Sequence, residues 1–253
     1  VDQVHALTHI DRWFLHSIES IVRLHGELVR SRWPMDAALL RQAKLVGFSD
    51  LCIARLAGAE QAAVRDARRN AGIVRRLVQI DTLAAEFPAD TNYLYTTFHA
   101  IADDVAPSRR RKILVLGSGA YRIGSSVEFD WCCVNAVQAA AALGVETIML
   151  NFNPETVSTD YDICDRLVFD EISLETVLDL VEHEQPEGVV VSMGGQIPNN
   201  LAMALHRAGV PVLGTSPDDI DRAEDRQKFG ALLDVLAIDQ PRWMHVRDVA
   251  EAD

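Results

Sequence analysis

The sequence predicts an α/β protein in which an all-helical N-terminal domain is followed by a doubly wound domain built on a parallel sheet. Over roughly the first 80 residues, apolar side chains recur at the spacing of amphipathic helices. After residue 112, short runs that are apolar throughout alternate with helices of about a dozen residues, which is typical of a parallel sheet covered on both faces. Between the two parts lies Pro107–Arg111, a proline, a serine and three arginines, which indicates a solvated linker.

The N-terminal helices are marked out by their caps and breakers. The first long helix runs from Asp11 to Arg32, with Thr8 or Asp11 as its cap, and Pro34 breaks it. Three shorter helices follow, over about residues 36–46, 49–58 and 60–70. We expect residues 1–106 to form this helical domain.

The second domain is predicted over residues 112–216, with strands and helices alternating along the chain. Its apolar runs predict five strands, at residues 113–116, 147–150, 167–169, 189–191 and 210–213. Helices are predicted between them, at residues 127–143, at 173–184, and from Asn199 or Asn200 to Gly209. Ser216-Pro217-Asp218 then predicts one more helix, reaching Val235 or Leu236, in a third segment that covers residues 217–253.

Composition and charge limit the possible partners. The chain has 253 residues, of which 49% are hydrophobic and 24% charged, and this excludes a disordered or collagen-like protein. Residues 1–111 carry 15 bases and 13 acids (net +2), whereas residues 112–253 carry 9 bases and 24 acids (net −15). Because a nucleic-acid backbone would be repelled by the acidic part, we expect no nucleic-acid partner.

No apolar run reaches the roughly 20 residues that cross a bilayer, so no membrane partner is expected. The four cysteines lack the spacing of a zinc site, so no metal is expected, and they fit reduced thiols in the cytoplasm, with a mitochondrial location left open. The chain starts without Met, and we expect it to be a piece of a longer polypeptide.

Two strand-end motifs are candidates for function. Gly117-Ser118-Gly119 follows the first strand of the sheet, as in a dinucleotide-binding turn. However, the third glycine position of that fingerprint is Arg122, and Glu128 in the first helical turn would repel a pyrophosphate. Polar residues also follow the second, fourth and fifth strands, where they predict one polar rim: Asn153, Thr159, Gln196 and Thr215.

A longer series of motifs resembles the large chain of carbamoyl phosphate synthetase. The motifs are Gly117-Ser118-Gly119, Arg122-Ile123-Gly124, Val127-Glu128-Phe129-Asp130, Asn153-Pro154-Glu155-Thr156-Val157-Ser158-Thr159-Asp160, Gly194-Gly195-Gln196 and Gly214-Thr215-Ser216-Pro217. Asp11-Arg12-Trp13-Phe14 and Ala85-Glu86-Phe87 resemble the helical oligomerisation domain of that family. The resemblance covers almost the whole sequence and is closest to the eukaryotic forms.

The resemblance implies a place in a known reaction sequence. The family makes carbamoyl phosphate from bicarbonate, ammonia or glutamine, and two ATP, by way of carboxyphosphate and carbamate. The predicted α/β domain would be the pre-ATP-grasp, Rossmann-like domain of the second synthetase half, and the last helix the first helix of an ATP-grasp domain. Carbamate decomposes in water, so it travels enclosed, and the resemblance implies that Arg122, Ser126, Glu128 and Glu155 line this passage. Ser126 departs from the glycine that many members have there.

The resemblance also implies partners and cofactors. The partners would be the rest of the synthetase chain with both ATP-grasp domains, a glutaminase subunit or domain, and further copies bound through the helical domain. ATP with magnesium, and potassium in some members, would be bound elsewhere in the parent, so we expect neither a cofactor nor a catalytic residue in this segment. The product would feed pyrimidine or arginine synthesis. Two other functions stay open: a freestanding nucleotide- or dinucleotide-binding protein, and a helical self-association module.

Overall fold

A computed structural model of the protein describes residues 1–88, 92–120, 127–244 and 246. The chain divides into two compact units. Unit 1 comprises Val1–Ala89 and Leu94–Ala106, and unit 2 comprises Asp90–Tyr93 and Pro107–Asp253.

Unit 1 begins with five helices. They are α1 (Asp2–Thr8), α2 (Arg12–Arg30), α3 (Ala37–Val46), α4 (Asp50–Ala57) and α5 (Gln61–Asn70). The predicted cap Asp11 is confirmed, because its side chain accepts a hydrogen bond from a backbone amide in the first turn of α2. The side chains of Asp36 and Ser49 cap α3 and α4 in the same way. Gly47 ends α3 in the left-handed conformation.

The prediction that residues 1–106 are all helical is wrong beyond α5. Two strands, β1 (Arg76–Gln79) and β2 (Tyr93–Thr97), pair antiparallel, with Val78 opposite Tyr95. Asp103 stabilises the outer edge of β1, because its carboxylate accepts from the Leu77 amide at 2.7 Å and from Arg76 at 3.2 Å. These contacts join residues 26 and 27 positions apart, so helical periodicity does not reveal them.

A buried ion group lies in the core of unit 1. Asp50 is fully buried and accepts from Arg68 at 2.9 Å and from Lys44 at 2.9 Å. Around it packs a hydrophobic cluster that includes Leu24, Leu28, Leu40, Ile53 and Val64. The two cations balance the desolvation of Asp50 only while all three partners stay together.

Unit 2 contains five parallel strands, as predicted. Its strands are β3 (Lys112–Leu116), β4 (Glu146–Asn151), β5 (Arg166–Phe169), β6 (Val189–Val190) and β7 (Val212–Leu213), in the spatial order β5-β4-β3-β6-β7. In the register, Val115 lies opposite Met149 on one side and Val190 on the other. All six residues of β4 are buried, so both faces of the sheet are covered at its centre.

The helices of unit 2 follow the strands. They are α6 (Val127–Ala142), α7 (Leu174–Glu184), α8 (Gln196–Asn199), α9 (Ala202–Arg207), α10 (Pro217–Glu224) and α11 (Arg226–Val235). After β3 the chain winds to β4 and β5 on one side, and later to β6 and β7 on the other. Since parallel crossovers are right-handed, this reversal places the crossover helices on opposite faces of the sheet, which is the predicted doubly wound arrangement.

Two predicted helices of unit 2 differ from the structure. The helix predicted to begin at Asn199 or Asn200 begins instead at Gln196, after Gly195, and is interrupted before α9. The helix predicted from Ser216 to Val235 or Leu236 starts as expected but is divided at Asp225. The Asp225 side chain accepts from the amides of Gln227 and Lys228 and so begins a new helix.

Candidate functional site at the carboxyl edge of the sheet

The polar residues singled out in the sequence follow strands of one parallel sheet. Because parallel strands end at the same edge, the segments after β3, β4, β6 and β7 share the carboxyl edge of unit 2. Glu128 lies in the first turn of α6, Glu155 in the loop after β4, Gln196 after β6 and Thr215 after β7. These four residues are exposed at that edge. Arg122 and Ser126, predicted to line the passage, lie outside the described residues.

The base of the edge is closely packed. A side chain on Gly194 would come within 2.4 Å of the Gly117 carbonyl oxygen, and one on Gly117 would come within 2.6 Å of the Asn151 side chain. Glycine is therefore required at Gly194 for the turns after β3 and β6 to touch, and at Gly117 for the turn after β3 to pack on the end of β4. The turns after β3 and β6 are therefore in close contact at Gly117 and Gly194.

In the described part of the turn after β3, two glycine amides already have acceptors. The Gly117 amide donates to the Leu150 carbonyl at 2.8 Å, and the Gly119 amide donates to Asn151 Oδ1 at 3.0 Å. A dinucleotide-binding turn instead leaves such amides pointing at the pyrophosphate. This geometry argues against the dinucleotide reading.

The loop after β4 is held by its own side chains. Asn153 Oδ1 accepts from the Glu155 amide at 3.0 Å, which fixes the start of a tight turn. Thr159 is only 2% exposed, and its hydroxyl donates to the Thr156 carbonyl at 2.8 Å. Thr159 therefore supports the loop from inside, whereas Glu155 projects from its exposed side.

Asp130 is a further residue of this edge whose role the sequence did not reveal. It lies in the first turn of α6 and is 2% exposed. Its carboxylate accepts from the amides of Val157 at 2.9 Å and Ser158 at 3.2 Å. These amides begin a 3₁₀ turn, Val157–Thr159, that belongs to a different part of the chain. In the sequence, an acid in the first turn of a helix is explained by its favourable interaction with the helix dipole. Only the fold shows that the loop after β4 lies beside Asp130.

The other side of the edge carries a polar contact that reaches the last helices. The Gln196 side chain donates to Asn200 Oδ1 at 2.9 Å and to Glu224 Oε2 at 3.3 Å. Thr215 is exposed immediately before Ser216, which caps α10. Gln196 therefore links the segment after β6 to α10 within unit 2.

Ionisable side chains elsewhere in unit 2 offer little reactivity. Burial raises the pKa of the Cys133 and Cys164 thiols to about 12, so both are protonated at neutral pH and poor nucleophiles. Within the described parts of the chain, no three His, Cys, Asp or Glu side chains are grouped so as to hold a metal ion. None of the described helices is both long and apolar enough to span a membrane.

Comparison with protein families identifies two matching models. Residues 1–72 match the oligomerisation domain of the carbamoyl-phosphate synthetase large chain, and residues 109–222 match the carbamoyl phosphate synthase preATP-grasp domain.

Curated relatives are similar over the entire chain. The arginine-specific large chain of carbamoyl phosphate synthase from Cutaneotrichosporon cutaneum is 52% identical over 253 residues, which are 100% of this chain and 21% of the relative. The mitochondrial arginine-specific large chain from Neurospora crassa is 51% identical and is covered to 22%, with 100% of this chain aligned. Multifunctional protein URA2 from Saccharomyces cerevisiae is 51% identical and is covered to 12%, again with 100% of this chain aligned. The chain thus spans about a fifth or less of the length of these relatives.

Among solved structures, the biotin carboxylase domain of a thermophilic 2-oxoglutarate carboxylase is similar to part of the fold. The aligned part covers 50% of this chain and 27% of the biotin carboxylase chain, with 16% identity and a TM-score of 0.36. This similarity is too low to support a conclusion. The two domain models and the relatives at about 50% identity do support one: the chain belongs to the carbamoyl phosphate synthetase large-chain family.

Proposed function

We propose that this chain acts as part of a carbamoyl phosphate synthetase, which forms carbamoyl phosphate from bicarbonate, ammonia or glutamine, and two ATP. Relatives at about 50% identity over the full chain carry that name, including arginine-specific and multifunctional proteins. In this proposal the segment walls in the carbamate passage and contributes to assembly, and phosphoryl transfer takes place in other parts of the synthetase.

The observation that carries the passage proposal is the pairing of α6 with the loop after β4. The Asp130 carboxylate joins these two segments by accepting from the Val157 amide. Glu128 lies two residues before Asp130, and Glu155 lies two residues before Val157. Both acids are exposed. Both carboxylates repel the carbamate anion, so neither would hold it on the wall.

The rim supplies one wall of this passage. Because the glycine turns beneath it are packed together, carbamate would pass over the exposed acids and not between the strands. Carbamate is lost in water, so the remaining walls would have to come from the rest of the synthetase chain. We place Arg122 and Ser126 in the same wall on the strength of the resemblance.

We place ATP and magnesium, with potassium as a further ion, in the ATP-grasp domains of the full protein. Lys228 lies in α11, near the start of the last segment, and its ammonium contacts the Asp221 carboxylate. Arg222 is likewise paired with Asp219, at 3.0 Å. These contacts stabilise α10 and α11 and support a structural role for both cations.

The exposed apolar side of α2 supports self-association. Phe14, Ile18, Ile21, Val22 and Val29 form one stripe along the helix, here called the α2 stripe, and each is at least 43% exposed. An apolar surface of this extent on a helix is typical of a protein interface. We propose a second copy as its partner and a glutaminase as a partner of the full protein. The relatives include mitochondrial forms, and we propose a cytoplasmic or mitochondrial location.

The passage proposal predicts uncoupling when the rim is obstructed. In a full-length synthetase containing these residues, Glu155→Phe should leave bicarbonate-dependent ATP hydrolysis within about twofold of wild type, because Glu155 is exposed and supports no buried contact. Carbamoyl phosphate formed per ATP hydrolysed should fall several-fold, because carbamate is stopped or escapes. The measurement is the ratio of carbamoyl phosphate to ADP in one assay.

Glu171→Phe is the matched control, since Glu171 is an exposed acid after β5 that the proposal leaves outside the passage. It should keep the wild-type ratio. A wild-type ratio in Glu155→Phe, or equal loss of both reactions, would refute the passage assignment.

A further inference from the structure

We infer that Asp130 is a positioning residue that sets the spacing between the two acidic segments of the passage wall. The inference rests on the proposed function and adds to it a residue that touches neither substrate nor product. Asp130 would act only through the placement of Glu128 and Glu155.

The contact made by Asp130 is buried and bidentate. Its two carboxylate oxygens accept from two successive amides, Val157 at 2.9 Å and Ser158 at 3.2 Å, and Asp130 is 2% exposed. Charge-assisted bonds of this kind are stronger than neutral ones, and breaking them without replacement leaves buried polar groups unsatisfied. The distance between α6 and the loop is therefore fixed at this point.

The rest of the loop leaves these two amides to Asp130. The Thr156 and Thr159 side chains form a capping box that satisfies the amides of Thr156 and Thr159. Val157 and Ser158 lie between them, and the first amides of any helical turn need an outside acceptor. Asp130 supplies that acceptor from a helix 27 residues earlier in the chain.

Asn151 makes a comparable link on the opposite side. Its Oδ1 accepts from the amides of Gly119 and Phe152, both at 3.0 Å, and so joins the turn after β3 to the start of the loop after β4. The loop is thus tied at its beginning by Asn151 and at its 3₁₀ turn by Asp130. Glu155 lies between the two ties.

Two variants of the full-length synthetase test the inference. Asp130→Asn keeps the size of the side chain but replaces one acceptor oxygen with a donor that faces an amide. Val157→Pro removes one of the two donated hydrogens; proline fits the first position of the turn, and Thr156 before it is already extended, at φ −129° and ψ 154°. Both should lower carbamoyl phosphate per ATP several-fold while ATP hydrolysis stays within about twofold, as for any change outside the ATP sites.

Asp50→Asn is the matched control, because Asp50 is also a buried carboxylate that accepts hydrogen bonds, here from Arg68, but it lies in unit 1. It should lower thermal stability without changing the ratio. If Glu155→Phe uncouples the reactions and folded Asp130→Asn and Val157→Pro do not, the positioning role is wrong and the passage proposal stands. If none of the three uncouples them, the passage proposal itself fails.

Discussion

At the scale of single residues, Glu184 is a buried carboxylate surrounded by cationic side chains. Glu184 is 1% exposed and accepts from Lys112 at 3.2 Å, Arg166 at 2.8 Å and His183 at 3.2 Å. Burial acts to raise the pKa of Glu184, but the bond from His183 and the charges of Arg166 and Lys112 outweigh it and hold the pKa below its usual value of 4.5.

This shift fixes the sign of a pH effect. A carboxyl group whose folded-state pKa is lowered stabilises the fold above its unfolded pKa, and this contribution is lost as the pH falls through the folded value. Glu184→Gln should therefore lower the free energy of unfolding at pH 7 by about 3 kcal/mol, as for a broken buried ion pair. The difference from wild type should shrink as the pH falls below 4.5, because Glu184 then binds a proton in the unfolded chain before it does so in the folded protein.

Urea unfolding at pH 7 and pH 3 measures both quantities. Glu187→Gln is the control, because Glu187 pairs with Arg111 while its side chain is 48% exposed, and its removal should cost less than about 1 kcal/mol. A Glu184→Gln difference that stays the same at both pH values would contradict the assignment.

Residue-scale roles were the hardest to predict from the sequence. The motif Val127-Glu128-Phe129-Asp130 was recognised, but Asp130 could not be distinguished from any other acid near a helix start until the loop after β4 was seen beside it. Thr159 was expected on the rim, whereas its hydroxyl is used inside the loop. Side-chain direction in a loop depends on tertiary packing, which motif spacing does not encode.

At the scale of elements, α2 presents much of its apolar surface to solvent. The periodicity that predicted this helix included Phe14, Ile18 and Val22, and these side chains are 51–63% exposed. The buried positions of α2 are Leu15, Leu24 and Leu28. The helix was therefore predicted correctly, but its apolar periodicity also contained a second face that the chain leaves uncovered.

The α2 stripe predicts concentration-dependent assembly. Ile18→Glu combined with Val22→Glu should shift the chain toward the monomer mass of 28.0 kDa in sedimentation-velocity experiments, because two charges would have to be buried in the interface. The helical signal in circular dichroism should not change, since both positions are exposed.

Ser20→Glu is the control, because Ser20 is exposed on another side of the same helix. Its assembly should equal that of the wild-type chain. Wild-type protein that stays monomeric at high concentration, or a double variant that assembles normally, would show that α2 is not a self-association surface.

Local signals explain which elements were predicted well. The caps at Asp11, Asp36 and Ser173 act within three residues, so the sequence alone locates these helix starts. The hairpin of β1 and β2 depends on Asp103, far along the chain, and was missed. The break at Asp225 was also missed, because a cap inside a continuous helical pattern resembles an ordinary acidic residue.

At the scale of the whole molecule, the change in sequence pattern near residue 107 coincides with the division into two units. The linker carries more structure than its composition indicates. Arg111 contacts Glu187 at 2.8 Å, Arg110 contacts Asp165 at 3.4 Å, and Lys112 donates to the Ser108 carbonyl at 2.6 Å. The acidic character of residues 112–253 thus provides the partners that hold the arginine run on unit 2.

The parallel sheet could be predicted because a strand that is buried on both faces appears in the sequence as a continuous run of apolar residues. β4 is buried at every position, and its sequence is apolar from Ile148 to Leu150. Strand β6 was predicted one residue too long at its end, and strand β7 two residues too long at its start. In both cases the apolar run extends beyond the hydrogen-bonded residues. The close packing of Gly117 with Gly194 could not be predicted, since it joins turns from two separate crossovers.

A segment exchange tests the central claim most directly. The matching residues of the Neurospora crassa arginine-specific large chain, which is 51% identical, are replaced by this chain, and carbamoyl phosphate and ADP are measured together. We expect the chimera to form carbamoyl phosphate with close to the ATP consumption of the parent enzyme. A folded chimera that hydrolyses ATP without forming carbamoyl phosphate, or that is inactive in both reactions, would contradict the claim that this chain serves as the assembly and passage segment of a synthetase.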